Sequence, residues 1–278
     1  MKILANDGIS QTGIDALKRD GFDITTINVS QEQLIDYIND NQIEALLVRS
    51  ATTARKELID SCPGLKLIGR GGVGMDNIDV EYAKSKGIHV INTPAASSAS
   101  VAELVFAHLY GGVRFLYNSN RNMPLEGETN FKGLKKAFAK GTELRGKTLG
   151  IIGFGRIGQE VAKIGLGIGM NIVASDKFID QVDLKITLST GDSIDVKIKT
   201  QDFDDLIENS DFISLHVPAQ NSYVINAEVL SKMKKGVGII NAARGGVIDE
   251  VALIDALDSG HLSFACLLYT SPSPRDRG

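Results

Sequence analysis

Long apolar runs are missing from this sequence, and so are most of the residues that staple a chain or bind metal. No stretch approaches the roughly 20 apolar residues of a membrane-spanning helix, and the amino terminus, MKILANDGIS, lacks the layout of a signal peptide. Only two cysteines occur, Cys62 and Cys266, and neither has metal-ligand spacing. No metal is expected, and a reduced cytoplasm is the simplest setting. An excess of one charge is lacking too: the formal net charge is −4, which gives no electrostatic reason to expect nucleic acid or an anionic membrane as partner. What is present is ordinary for a globular protein. With 278 residues, 43% hydrophobic and 23% charged, the chain has enough for one large or two ordinary domains.

The organising stretch runs from Lys147 to Asp176. Thr148 to Ile152 is a short apolar run, long enough for one buried parallel strand. Gly153-Phe-Gly-Arg-Ile-Gly158 then turns the chain into a helical pattern with Ile157, Val161, Ile164 and Leu166 on its apolar side, and a second apolar strand ends before Asp176. Each part has a task in holding a dinucleotide. Gly153 permits the tight turn, Gly155 lets backbone approach a pyrophosphate, and Gly158 lets helix and strand pack closely. The helix start offers N–H groups and a positive dipole end. Asp176 is placed to accept from a ribose diol and to repel a 2′-phosphate, which favours NAD over NADP. With 29 glycines in the chain, three in this register would arise by chance roughly 0.3 times, so the flanking strand, helix and acid carry the argument.

In chain order, strands are expected at 2–5, 23–27, 45–48 and 67–68, with helices at 9–17, 31–39 and 55–60. Strand and helix trading places every dozen residues argues for βαβ units. A long helix is expected from Ser100, where Ser100 and Glu103 have capping-box spacing, continuing past Phe115. Residues 119–146 are polar, contain Pro124 and several glycines, and predict an irregular surface excursion. After Asp176, the alternating 184–188 and 194–198 predict a hairpin inserted on the surface. Alternation then resumes to a last strand at 263–267. The expected fold class is α/β, with two doubly wound parallel-sheet domains: residues 1–99 flavodoxin-like, and 100–267 a Rossmann-type dinucleotide-binding domain.

Three further segments join the glycine turn: Arg70-Gly-Gly-Val-Gly-Met-Asp-Asn-Ile-Asp79, Ser214-Leu-His-Val-Pro218 and Asn241-Ala-Ala-Arg-Gly-Gly-Val-Ile-Asp-Glu250. Together they resemble the D-2-hydroxyacid dehydrogenase family, most closely its D-3-phosphoglycerate dehydrogenases. Val48-Arg-Ser-Ala-Thr52, Asn92-Thr-Pro94 and Ser100-Val-Ala-Glu103 support the resemblance, which covers about residues 1–267. It implies oxidation of a small 2-hydroxy acid by NAD, here 3-phosphoglycerate in serine biosynthesis, in a cytoplasmic homodimer. Glyoxylate, hydroxypyruvate or lactate-type dehydrogenases are alternatives, as is a non-enzymatic NAD-sensing binder. By resemblance Arg244 is the catalytic arginine that grips the substrate carboxylate and carbonyl oxygen, a task suited to a permanently charged, bidentate guanidinium. Arg156 and Ile157 sit over the pyrophosphate, His216, Val217 and Pro218 line the adenosine side, and Ala242 and Ala243 pass beneath the nicotinamide. For the substrate, the 71–74 loop, with Gly72, Val73 and Gly74, offers backbone N–H groups. Arg49, with Ser50 beside it, and Arg70 are candidates for a phosphate or carboxylate.

The resemblance breaks after Leu267. Leu268 stands where the family has a nicotinamide-contacting aspartate, and the glutamate and histidine that form its proton-transfer pair have no counterpart in Tyr269–Gly278. This end, with two prolines and no periodicity, is expected to be a non-native, disordered tail, with the helices that close the first domain missing. His89, His108, His216 and His261 are expected to be structural or solvated. The chain is therefore expected to keep a cofactor site and to lack its general base.

Overall fold

The structure is a computed structural model that describes residues 1–267; the expectation of a disordered tail concerns residues outside that range. The chain divides into two compact units, the first Met1–Ser97 and the second beginning at Ser98.

In the first unit five short apolar runs form one parallel sheet: β1 (Lys2–Ala5), β2 (Asp23–Thr25), β3 (Ala45–Val48), β4 (Leu67–Arg70) and β5 (His89–Asn92), in the order β2-β1-β3-β4-β5. The crossovers are α1 (Gln11–Arg19), α2 (Leu34–Asp40), α3 (Lys56–Ser61) and α4 (Val80–Ser85). Strand residues alternate faces, so Leu4, Leu46, Val48 and Ile68 reach one cluster with Leu34 and Ile38 of α2 and Leu58 of α3. Helix α1 contributes nothing to that cluster and has no buried residue. Six-residue α4 was not foreseen, being too short to show a helical period.

The second unit repeats the plan. Strands β6 (Thr148–Ile152), β7 (Asn171–Ser175), β10 (Phe212–Leu215), β11 (Val237–Asn241) and β12 (Leu262–Leu267) form a parallel sheet in the order β12-β11-β10-β6-β7. Its helices are α5 (Ser98–Val113), α6 (Leu116–Phe138), α7 (Arg156–Gly167), α8 (Phe203–Asn209), α9 (Ala227–Lys232) and α10 (Glu250–Asp258). Both faces are covered, and the strands divide between them residue by residue. Leu149, Ile151 and Ile240 pack with α5 and α7, whereas Ile152, Ile213, Leu215 and Ile239 pack with α8, α9 and α10. That is why these strands read as continuous apolar runs. In both units the order reverses beside the first strand, and crevices for ligands form at such switch points.

The hairpin is present as β8 (Gln181–Thr187) and β9 (Ser193–Lys199), antiparallel, with Leu184 opposite Val196 and Val182 opposite Ile198. Leu184 and Ile198 are buried against the α5–α7 side of the core, so the base of the hairpin is packed and its tip exposed. Two expectations are corrected. Helix α5 begins at Ser98, so Ser100 lies inside it and not at a capping position, and it ends at Val113, where Phe115 (φ 54°) turns the chain. Residues 119–138 are helical and not irregular: α6 runs through Pro124 and kinks at Asn130 (φ −132°). Only Leu134 of α6 is buried, while Leu116, Tyr117, Leu125 and Phe131 are exposed, so no apolar stripe announced the helix in the sequence.

Leu149 lies fully buried at the centre of the second unit. Leu149→Ala is expected to lower the unfolding free energy by about 2–5 kcal/mol, followed by circular dichroism in urea. A loss below about 1 kcal/mol would contradict its placement in a close-packed core.

Candidate active site

The dinucleotide-type loop begins where β6 ends. Gly153 has φ +92°, which glycine alone adopts without strain, and a Cβ there would lie 2.8 Å from the carbonyl of His216. Gly158 is held by a closer contact: its Cβ would come within 2.3 Å of the Gly153 oxygen, so helix α7 could not approach the loop. Gly155 differs from both. It is the residue preceding α7, has extended backbone, and a Cβ there would meet nothing within 4 Å. The internal packing requires Gly153 and Gly158 to be glycine, whereas at Gly155 the requirement comes from open space over the helix start. That is the shape a pyrophosphate needs.

Asp176 ends the crossover, just after β7. One carboxylate oxygen accepts the Phe154 N–H at 2.7 Å and the other the Phe178 N–H at 2.9 Å. The Phe154 ring is fully buried and pins the loop from below. Each Asp176 oxygen keeps a further lone pair for a ribose hydroxyl. Arg156 is exposed and Ile157 half-buried at the start of α7.

Across the switch point, His216 follows β10 and its N–H donates to Ile152 O at 2.8 Å. Its Nε2 lies 2.9 Å from the Ser214 hydroxyl, and its buried Nδ1 has no partner among the described residues. Burial pushes the imidazole down to about 4, so it is neutral at physiological pH. Val217 is half-buried and Pro218 exposed beside it. After β11, Asn241 organises the next loop. Its buried side chain accepts the Ala243 N–H at 3.0 Å and donates to Arg244 O at 3.0 Å. The Arg244 guanidinium donates to Ala243 O at 2.9 Å, and Ala242 is buried beneath. Asn241 and Ser214 were not singled out from the sequence, although both stand inside the quoted motifs; a polar residue within or closing an apolar strand was the available signal.

The first unit carries a cavity of about 700 Å³ at the carboxyl ends of β1, β3, β4 and β5, lined in part by Asp7, Arg49, Arg70 and Gly71. The Arg49 guanidinium is exposed, and Arg70 Nε donates to Arg49 O at 3.1 Å, tying the two loops together. Asp7, unforeseen in the sequence, fixes the Arg49–Thr52 turn. Its carboxylate accepts the Arg49 N–H at 2.6 Å, the Thr52 N–H at 3.1 Å and the Thr52 hydroxyl at 2.6 Å. Ser50 is exposed on that turn. The expectation that the whole 71–74 loop offers N–H groups is narrowed. Gly71 N–H is spent on Val48 O and Gly72 N–H on Arg70 O, which leaves those of Val73 and Gly74.

Two domain families match the chain: D-isomer specific 2-hydroxyacid dehydrogenase, catalytic domain, over residues 3–151, and the NAD binding domain of the same enzymes over 106–277. The chain belongs to the D-isomer specific 2-hydroxyacid dehydrogenases. The NAD-binding match runs past Leu267, where the resemblance read from the motifs ended. Among curated relatives, a hydroxypyruvate reductase of Thermotoga maritima is 40% identical over 96% of this chain and 81% of its own length. A D-3-phosphoglycerate dehydrogenase of Methanocaldococcus jannaschii is 39% identical over 99% of this chain. The chain spans only half the length of that relative. An NAD-dependent formate dehydrogenase of Staphylococcus aureus, solved with NAD, superposes with TM-score 0.74 at 28% identity, covering 99% of this chain and 84% of its own. The second unit of this dehydrogenase is thus an NAD-binding domain, and the glycine loop and Asp176 fit that cofactor. Among its described residues no helix is long and apolar enough to cross a membrane.

The glycine geometry predicts a split between two variants. Gly155→Ala is expected to leave the melting temperature unchanged and to weaken NADH binding at least about tenfold, since its methyl would occupy the open space that the cofactor needs. Gly158→Ala is expected to lose both stability and binding. If calorimetric titration shows Gly155→Ala binding NADH like the parent, the cradle is misplaced.

His216 adds a pH dependence. Its folded value of about 4 lies below the unfolded one, so its contribution is complete above about pH 6.5 and is lost on acidification toward pH 4, when only the unfolded chain takes the proton. The slope in that window is about 1.4 kcal/mol per pH unit. Urea unfolding at several pH values should show it, and His216→Gln should remove it. An unchanged slope in the variant would assign the effect to other groups.

Proposed function

We propose that this dehydrogenase serves the NAD-dependent oxidation of 3-phosphoglycerate to 3-phosphohydroxypyruvate, a step of serine biosynthesis. The observation that carries the substrate choice is the cavity of the first unit, where the Arg49 and Arg70 loops are tied together and held by Asp7. A phosphorylated acid presents two anionic groups, and guanidinium groups hold phosphate and carboxylate by parallel, charge-assisted hydrogen bonds. The Val73 and Gly74 N–H groups add backbone donors for a carboxylate. In the second unit Arg244 is the candidate catalytic guanidinium, on a loop fixed by Asn241. NAD, when bound, would accept the hydride that leaves C2 of the acid. Asp176 orients the ribose, the start of α7 takes the pyrophosphate, and neutral His216 with Val217 and Pro218 lines the adenosine side.

Oxidation also requires a base for the hydroxyl proton. Among the described residues no histidine is paired with a carboxylate: His216 contacts Ser214, and His261 Nε2 lies 2.8 Å from Leu230 O. On this reading residues 1–267 bind cofactor and acid but do not carry the proton-transfer pair, and turnover falls by on the order of a hundred- to ten-thousand-fold. The exposed apolar side chains of α6 support a homodimer in which that helix is covered by a second copy.

The 40% identity to the Thermotoga relative supports a second reading, reduction of hydroxypyruvate. The two part on the phosphate. With NAD saturating, 3-phosphoglycerate is expected to bind at least about tenfold more tightly than D-glycerate, and Arg49→Ala to erase the difference. Equal binding of the two acids sinks the phosphorylated substrate and leaves the second reading; sedimentation of the same sample reports the homodimer.

A further inference from the structure

A second cavity lies at the opposite end of the second unit's sheet, where β6, β10, β11 and β12 begin. It holds about 270 Å³ and is lined by Lys140, Lys147, Lys234 and Lys235, with Asp211 the single acid. Asp211 is already committed: its carboxylate accepts the Thr148 N–H at 2.8 Å and faces Lys234 Nζ at 3.3 Å. Lys234 is further satisfied by Asn209 O at 2.6 Å. The ammonium groups of Lys140, Lys147 and Lys235 make no ion pair with any described carboxylate. Three lysines with no ion pair to a described carboxylate thus border one small cavity in a chain whose formal charge is −4. Cations gathered around one cleft raise the local concentration of small anions there. The walls here are aromatic, with Phe212 and Phe264 at a centroid separation of 6.2 Å.

We propose that this cavity is a binding site for a compact polyanion, a phosphate or carboxylate compound of two or more negative charges, separate from the cofactor loop at the other end of the strands. The volume falls below the roughly 300–1,000 Å³ of pockets for drug-sized ligands, which restricts the occupant to a small molecule. Its charge is matched by three ammonium groups, and Lys234 stays engaged with Asp211. The cavity also touches Gly112, Val113 and Phe115, so an occupant braces the turn from which α6 departs.

The test is an NMR titration of the full chain with inorganic pyrophosphate, and in parallel with tricarballylate, which distinguishes a phosphate from a carboxylate preference. Amide signals of Lys147, Gly236 and Ser263 report this cavity, and that of Gly155 reports the cofactor loop. The expected result is a saturable shift of the first three with a dissociation constant below about 1 mM in at least one titration. It should weaken at least about tenfold in Lys140→Ala/Lys235→Ala and again at high salt, with the Gly155 response unchanged by the double variant. Both lysines are exposed, so the variant should melt with the parent. No shift at those three amides with either anion overturns the proposal, as does undiminished binding in a folded double variant. A shift confined to Gly155 also overturns it while leaving the cofactor reading intact.

Discussion

The binding end of the second unit depends on a carboxylate holding backbone. Asp176 accepts the N–H of Phe154 from the glycine loop and the N–H of Phe178 from its own turn, so β6 and β7 are joined beyond the end of their ladder. A charged acceptor makes this stronger than the neutral hydrogen bonds on either side. The loop is thereby fixed with its N–H groups at the start of α7 still directed outward. One acid thereby sets both the turn after β7 and the glycine loop after β6, so the two cannot shift independently.

The first unit solves the same problem in the same way. Its strand order matches that of the second unit, and at its switch point Asp7 accepts two backbone N–H groups and a hydroxyl from the turn bearing Arg49. In each unit an acid at a strand end rigidifies the neighbouring loop, and the groups suited to ligand binding sit on the loop so held. Parallel sheets favour this arrangement, because every strand ends at the same edge and its loop is close to the next. The opposite edge of the second sheet, where loops are also close together, gathers lysines.

Much of this was legible beforehand because the signals were local. The strand, glycine turn and terminal acid from Thr148 to Asp176 fall in one stretch, and short apolar strands buried on both faces announce themselves by composition alone. The 184–198 hairpin was visible from its alternation, and its buried face is the one that alternation selects. Helix α6 was hidden for a matching reason. With Leu134 its single buried residue, it has no apolar stripe to read, and Pro124 argued against a helix. Asp7, Asn241 and Ser214 escaped notice because a single polar residue in or just after a strand shows its task only once its partners are known.

The sequence by itself determined the α/β class, the glycine turn that opens α7 and the assignment of NAD as cofactor, since each follows from residue types at short fixed spacing. Only tertiary structure decided which of the three loop glycines is open to a ligand and which are closed by packing, because those contacts come from His216, more than fifty positions along the chain, and from the returning helix. It likewise decided that Gly71 and Gly72 spend their N–H groups internally, and that four lysines from two separated segments share one cavity. Spacing along a chain encodes local geometry, whereas the partner of a given hydrogen bond or charge is set by which strands come to lie side by side.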